Sequence, residues 1–135
     1  APTLYRDVPV DSRLWREEIF GPVLCARSTA SEAEAIELAN DSEFGLAATV
    51  ISGDAERARR IGRQLQAGSV WFNSEQLIPP QAAWGGYKRS GIGRELGPWG
   101  LASYQEVKHL IGPAGSGPAD QSPGEPSGPS IRGWR

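Results

Sequence analysis

The residues best able to do chemistry fall in two clusters. The first is Glu17-Glu18-Ile19-Phe20-Gly21-Pro22. Two adjacent acids read most simply as a solvated turn. A carboxylate beside an aromatic at a strand entrance can also hydrogen-bond a pair of sugar hydroxyls while the ring packs on the sugar. The second cluster runs from Trp84-Gly85-Gly86 through Lys88-Arg89 to Arg94-Glu95. A Trp on a tight turn could line a substrate pocket, and its face suits a cationic ligand; a plain core role is the alternative. Charges in a partly buried loop must be paired. Glu95 is therefore expected to meet a cation, either Arg94 or one outside this chain.

Other candidates carry less. Gly91-Ile92-Gly93-Arg94-Glu95-Leu96-Gly97 resembles a dinucleotide-binding glycine fingerprint. Position 96 is Leu and no strand leads into the segment, so the pattern fails on spacing and context. A tight loop with positive φ at several glycines is the better reading. Cys25 lies in an apolar run with no base nearby, which fits a buried structural thiol rather than a nucleophile. His109 has no visible partner and reads as a surface or interface residue. One Cys and one His exclude an internal disulfide framework, a multi-Cys zinc site and most histidine metal clusters. A reducing compartment follows.

Short elements must position these residues. Val23-Leu24-Cys25-Ala26, bounded by Gly-Pro, reads as a buried strand. Thr29-Ala30-Ser31-Glu32 has capping-box spacing and opens a helix to about Leu38. Residues 46–51 form a second strand, and Asp54 caps a helix over 55–67 with Ala58, Ile61 and Leu65 on its apolar face. Gly68 ends that helix, and 69–73 is a third strand. The order β-α-β-α-β predicts an α/β fold with parallel strands and helices covering the sheet in three layers. Residues 74–100 have little periodicity, and their two Trp argue against disorder. Residues 104–110 alternate as an edge strand that could pair with another chain.

Composition bounds the rest. The chain has 135 residues, 39% hydrophobic and 22% charged, with net charge −2. That suits one domain. Near-neutral charge gives no footprint for nucleic acid. No run approaches about 18 consecutive apolar residues, the length of a membrane span, and the start lacks a signal-peptide pattern. From Gly112 to Arg135 there are six Gly, five Pro and four Ser in 24 residues, so 112–135 reads as a disordered tail.

Five motifs then resemble the aldehyde dehydrogenase superfamily. They are Glu17-Glu18-Ile19-Phe20-Gly21-Pro22-Val23; Asn40-Asp41 with Gly45-Leu46; Gly68, Val70 and Asn73; Pro80-Gln81 through Trp84-Gly85-Gly86-Tyr87-Lys88, Ser90-Gly91, Gly93-Arg94-Glu95-Leu96-Gly97; and Tyr104, Glu106-Val107-Lys108. The likeness covers roughly residues 2–111 in unbroken order. The form of the fourth motif is similar to the betaine-aldehyde and aminoaldehyde branch.

The resemblance implies NAD(P)-dependent oxidation of an aldehyde to the carboxylic acid by a cytoplasmic homo-oligomer. A thiolate attacks the carbonyl, hydride passes to nicotinamide, and a glutamate-activated water hydrolyses the thioester. It implies that Glu18 binds the nicotinamide-side ribose hydroxyls of NAD or NADP and that Phe20 packs beside the nicotinamide. Trp84 would join an aromatic box around the cationic end of the substrate. Glu95 would belong to a charge relay. Lys88 and Gly91 would offer backbone carbonyls to an intersubunit potassium ion. Residues 1–103 would be the C-terminal part of the catalytic domain and 104–111 the oligomerisation strand, joining a neighbouring subunit's sheet. The family's nucleophilic cysteine, general-base glutamate and most of its cofactor domain precede the Glu18 motif. The chain is thus expected to be a C-terminal piece, inactive alone, that works with the N-terminal part of the same enzyme. A non-enzymatic reading stands beside it: an interaction module pairing through 104–110 or through Pro123-Gly124-Glu125-Pro126.

Overall fold

A computed structural model describes residues 1–112; the tail predicted over 112–135 lies almost wholly outside the described residues. The elements are β1 (Thr3–Arg6), α1 (Arg13–Arg16), β2 (Val23–Ala26), α2 (Glu32–Asn40), β3 (Phe44–Gly45), β4 (Ala47–Val50), α3 (Ala55–Gly62), β5 (Ser69–Phe72), β6 (Tyr87–Lys88) and α4 (Gly97–Ala102). The mixed α/β class is as expected. Residues Ala1–Gln105 make one compact unit, and the described part of a second unit begins at Glu106.

The pairing differs from a single three-stranded sheet. β4 and β5 are parallel, with Ala47 opposite Ser69 and Val50 opposite Phe72. α3 crosses between them and packs on both, as a parallel connection requires. β2 pairs instead with β1, with Leu4 opposite Leu24. Thr3-Leu4-Tyr5-Arg6 shows no clean alternation, so its sequence does not announce a strand. The pair is also not buried: Leu4 is 57% and Leu24 64% exposed, which corrects the buried reading of Val23–Ala26. An antiparallel ladder of two short strands, β3 and β6, sets Phe44 opposite Lys88 and Gly45 opposite Tyr87.

The helix ends have local causes. The capping box sits two residues later than Thr29-x-x-Glu32. Ser31 accepts from the Glu34 amide at 3.1 Å, and the Glu34 carboxylate accepts from the Ala30 amide at 2.7 Å. α3 stops at Gly62 rather than 67. The Asn40 side chain takes the Gln64 carbonyl and the Gln66 amide, both at 2.8 Å, so these groups cannot continue the helix. Asp54 caps α3 as expected, accepting from the Glu56 and Arg57 amides. Glu32 on α2 pairs with Arg57 and Arg60 on α3, each at 2.8 Å.

The core is small. Its buried hydrophobics among the described residues are Val8, Val50 and Ala58. An average domain of this length buries a larger core. Residues 104–110 form no strand here: Ser103 and Tyr104 close a turn, and the rest is irregular. A strand needs a ladder partner, and none of the described residues supplies one. No helix among the described residues is long and apolar enough to cross a membrane.

Candidate functional site

The Trp84–Glu95 segment is built as a fixed loop. The Trp84 amide donates to the Glu95 carbonyl at 2.8 Å, and the Glu95 amide returns a bond to the Trp84 carbonyl at 2.7 Å. This bridge joins two residues singled out separately in the sequence. Between them the chain turns through Gly85, Gly91 and Gly93, all at positive φ, as the tight-loop reading required. Beyond them Leu96 and Gly97, also at positive φ, lead into α4. At Gly97 a side chain would stand 2.6 Å from the Gln81 carbonyl oxygen at φ +54°, so only Gly fits.

The loop is tied to β5 and to the segment after α2. The Trp84 ring lies 6.0 Å from that of Trp71 on β5, tilted by 47°, within the range of favourable aromatic pairs. Trp71 is anchored through its indole N–H to the Leu77 carbonyl at 2.9 Å. Ser90 Oγ accepts from the Gly45 amide at 3.0 Å. Lys88 Nζ donates to the Asn40 carbonyl at 2.7 Å and the Ser42 carbonyl at 3.0 Å. Arg89 pairs with Glu43 through both main chain and side chain. Asn40, Gly45, Lys88 and Ser90 therefore serve the architecture of the loop.

Glu95 does not pair with Arg94. Arg94 turns inward, donating to the Gly86 and Gly93 carbonyls at 3.0 and 2.6 Å, with its guanidinium 5.3 Å above the Tyr87 ring. Glu95 is exposed and has no ion-pair partner among the described residues. Trp84, Gly91 and Glu95 together line one open depression of about 340 Å³.

The two adjacent acids have separated roles. Glu17 accepts from Arg13 at 2.7 and 2.9 Å, and that hydrogen bond holds its carboxyl below the usual value. Glu18 is exposed and lines a second depression of about 470 Å³ with Asn40, Gly45, Gln66 and Ser90. Phe20, 95% exposed, stands apart from both depressions. Just before this strip, Arg16 donates to the Asp41 carboxylate and carbonyl, both at 2.8 Å. The Asp41 carboxyl is lowered chiefly by this hydrogen bond, then by the charge of Arg16, with Lys88 adding to it.

Cys25 is half-buried on β2, and its thiol lies 3.5 Å from the Leu14 carbonyl. That supports the structural reading. His109 is exposed. No group of three or more His, Cys, Asp or Glu that could hold a metal occurs among the described residues. Three features went unseen in the sequence: the Trp71 partner of Trp84, the Asn40 clamp, and the carbonyl contacts of Lys88. Only the first left a signal, since Ser69, Trp71 and Asn73 alternate on one face of their strand.

Residues 1–110 match the sequence model of the aldehyde dehydrogenase family. The chain is 58% identical over 109 residues to the chloroplastic aminoaldehyde dehydrogenase of Arabidopsis thaliana, covering 81% of this chain and 22% of that protein. A double mutant of Staphylococcus aureus betaine aldehyde dehydrogenase, solved in complex with NAD+, is 47% identical with TM-score 0.78, covering 81% of this chain and 22% of that one. Mycobacterium tuberculosis aldehyde dehydrogenase, complexed with NAD+, is 39% identical with TM-score 0.80, covering 84% and 23%. The chain thus spans about a fifth of the length of the relatives it matches. With the family model matched over residues 1–110 and the five motifs in unbroken order, this chain belongs to the aldehyde dehydrogenase family.

Proposed function

We propose that this chain is the C-terminal part of an NAD(P)-dependent aldehyde dehydrogenase that oxidises betaine aldehyde or an ω-aminoaldehyde. The observation that carries the substrate class is the Trp84 ring, fixed by the Glu95 bridge and backed by Trp71. A fixed aromatic face attracts an ammonium group through its quadrupole. The 58% identity to an aminoaldehyde dehydrogenase supports the same class.

The residues present fit a nicotinamide cofactor. Glu18 is an exposed carboxylate beside an open depression, free to accept two hydroxyl protons from a ribose. Phe20 presents an uncommitted ring. When bound, the cofactor supplies the hydride acceptor. This chain's part is to hold the ribose through Glu18, to shield the ring through Phe20, and to orient the substrate's cationic end through Trp84. Glu95 would share a proton with a lysine from the rest of the enzyme; its exposed carboxylate, without an ion-pair partner among the described residues, supports that reading. The Lys88 and Gly91 carbonyls would contribute to a potassium site; two oxygens are few for a hard cation, so the others would come from a second subunit. Tyr104, Val107, Leu110 and Ile111 are each at least 84% exposed, which fits a segment that pairs with a neighbouring subunit's sheet edge.

Cys25, half-buried with its thiol toward the Leu14 carbonyl, is read as structural, and the nucleophile would come from the rest of the enzyme. The test is the conversion of betaine aldehyde and aminoaldehydes with NAD+ and NADP+ by the enzyme containing this chain, beside the 135-residue chain alone. Cofactor reduction by the former and none by the latter is expected. Turnover by the chain alone would overturn the assignment.

A further inference from the structure

Two cations of the loop, Lys88 and Arg94, donate to backbone carbonyls and make no ion pair among the described residues, and Lys88 alone reaches outside the loop. Lys88 lies on β6, between Trp84 and Glu95 in sequence, at φ +53°. A non-glycine residue in that region is uncommon and strained. Its side chain reaches back across the ladder to β3 and donates to two carbonyls, Asn40 at 2.7 Å and Ser42 at 3.0 Å. These carbonyls flank Asp41, whose carboxylate is held by Arg16. Asn40 in turn grips Gln64 and Gln66 through its side chain. The ammonium group therefore docks the loop onto a segment fixed from two other sides.

We propose that Lys88 is a positioning residue whose ammonium group, held by the Asn40 and Ser42 carbonyls, fixes the loop that places Trp84 and Glu95. The inference rests on the proposed function for its kinetic consequence, but its structural content stands independently. Other contacts hold the loop's flanks: Ser90 to Gly45, Arg89 to Glu43, and Trp84 to Trp71. Lys88 is the contact that fixes β6 against the end of α2. Its loss should leave the fold standing and loosen the presentation of Trp84. The charge strengthens both hydrogen bonds to the carbonyls.

The experiment compares Lys88→Met and Lys88→Arg in the enzyme containing this chain. Methionine keeps the length and removes the charge; arginine keeps the charge. Lys88→Met should raise KM for betaine aldehyde by about tenfold, the scale of one charge-assisted hydrogen bond. KM for NAD+ should change less than KM for the aldehyde, because Asn40 and Ser42, which line the Glu18 depression, remain held from the other side by the contacts of Asn40 with Gln64 and Gln66 and of Arg16 with Asp41. Lys88→Arg should recover most of the loss. Amide hydrogen exchange supplies a readout apart from turnover: peptides over 84–95 should exchange faster in Lys88→Met, while peptides over 3–26 should not. An unchanged KM for the aldehyde, or a parallel rise in both KM values, would overturn the positioning role. Unchanged exchange over 84–95 would overturn it even if the enzyme proved to act on other substrates. Faster exchange over 84–95 in Lys88→Met together with no turnover of betaine aldehyde by the unmodified enzyme would count against the proposed function alone.

Discussion

Gly68→Ala is the sharpest perturbation of the site that leaves every candidate functional side chain in place. Gly68 precedes β5 and lies against the turn that carries Trp84. A Cβ there would stand 2.7 Å from the Gly85 carbonyl carbon and 3.1 Å from the Gly86 Cα, with the Gly85 carbonyl oxygen nearer still. Ordinary contact begins at 3.4 Å, so the carbonyl carbon alone demands a shift of 0.7 Å, and the oxygen demands more. All three atoms are backbone and cannot rotate away. Either β5 or the Gly85-Gly86 turn must move by about 1 Å, the scale of misplacement that costs about 100-fold in rate. The strain itself costs about 1–3 kcal/mol in stability. Gly53→Ala is the control, since a Cβ at Gly53 would meet no atom within 4 Å; it should change stability by less than about 0.5 kcal/mol. The assay is kcat/KM for betaine aldehyde, with thermal unfolding of both variants. Wild-type kcat/KM in Gly68→Ala would refute the claim that contact with β5 sets the Trp84 turn.

Three further outcomes follow from the geometry. Trp84→Ala should raise KM for a cationic aldehyde on the order of 5- to 30-fold, matching about 1–2 kcal/mol for a desolvated cation–π contact, with little change for a neutral aldehyde of similar size; steady-state kinetics on the pair of substrates checks this. Asn73→Ala should destabilise the protein by about 1–3 kcal/mol in denaturant unfolding. It removes two hydrogen bonds to the Ser52 backbone, at 2.8 and 2.7 Å, from a residue at φ +47°. Glu32 is held below 4.5, first by the hydrogen bond from Arg60 and next by that from Arg57. Its contribution to stability is therefore fully present above its unfolded value and is lost as pH falls through the lowered folded value. Unfolding curves should show that Glu32→Gln lacks this part of the wild-type acid limb.

The middle of the fold was legible because its signals are local. Asp54 caps α3 through its own side chain, and β5 begins right after Gly68, as the spacing implied. Signals that depend on distant partners were not legible. α3 is cut short by Asn40, 24 residues upstream of the carbonyl it takes. β2 pairs with β1 rather than β4, a choice made by register between distant segments rather than by the composition of Val23–Ala26. In the site, the motif residues were visible as types, but their division of labour was not. Sequence cannot show that Glu17 is spent on Arg13 while Glu18 faces an open depression, or that Arg94 turns from Glu95 toward Tyr87. Residues 104–110 alternate as a strand and yet lie unpaired, because the alternation describes a pairing that the described residues do not supply.

The central claim is that this chain completes the cofactor and substrate sites of an aldehyde-oxidising enzyme. It is tested most directly by measuring NADH formed per betaine aldehyde consumed by the enzyme that contains it, before and after Glu18→Ala. One NADH per aldehyde is expected from the unmodified enzyme. In the variant, KM for NAD+ should rise at least about tenfold, as expected when a carboxylate serving two hydroxyls is removed. An unmodified enzyme that forms no NADH or NADPH from any aldehyde, or a Glu18→Ala variant with the original KM for cofactor, would contradict it.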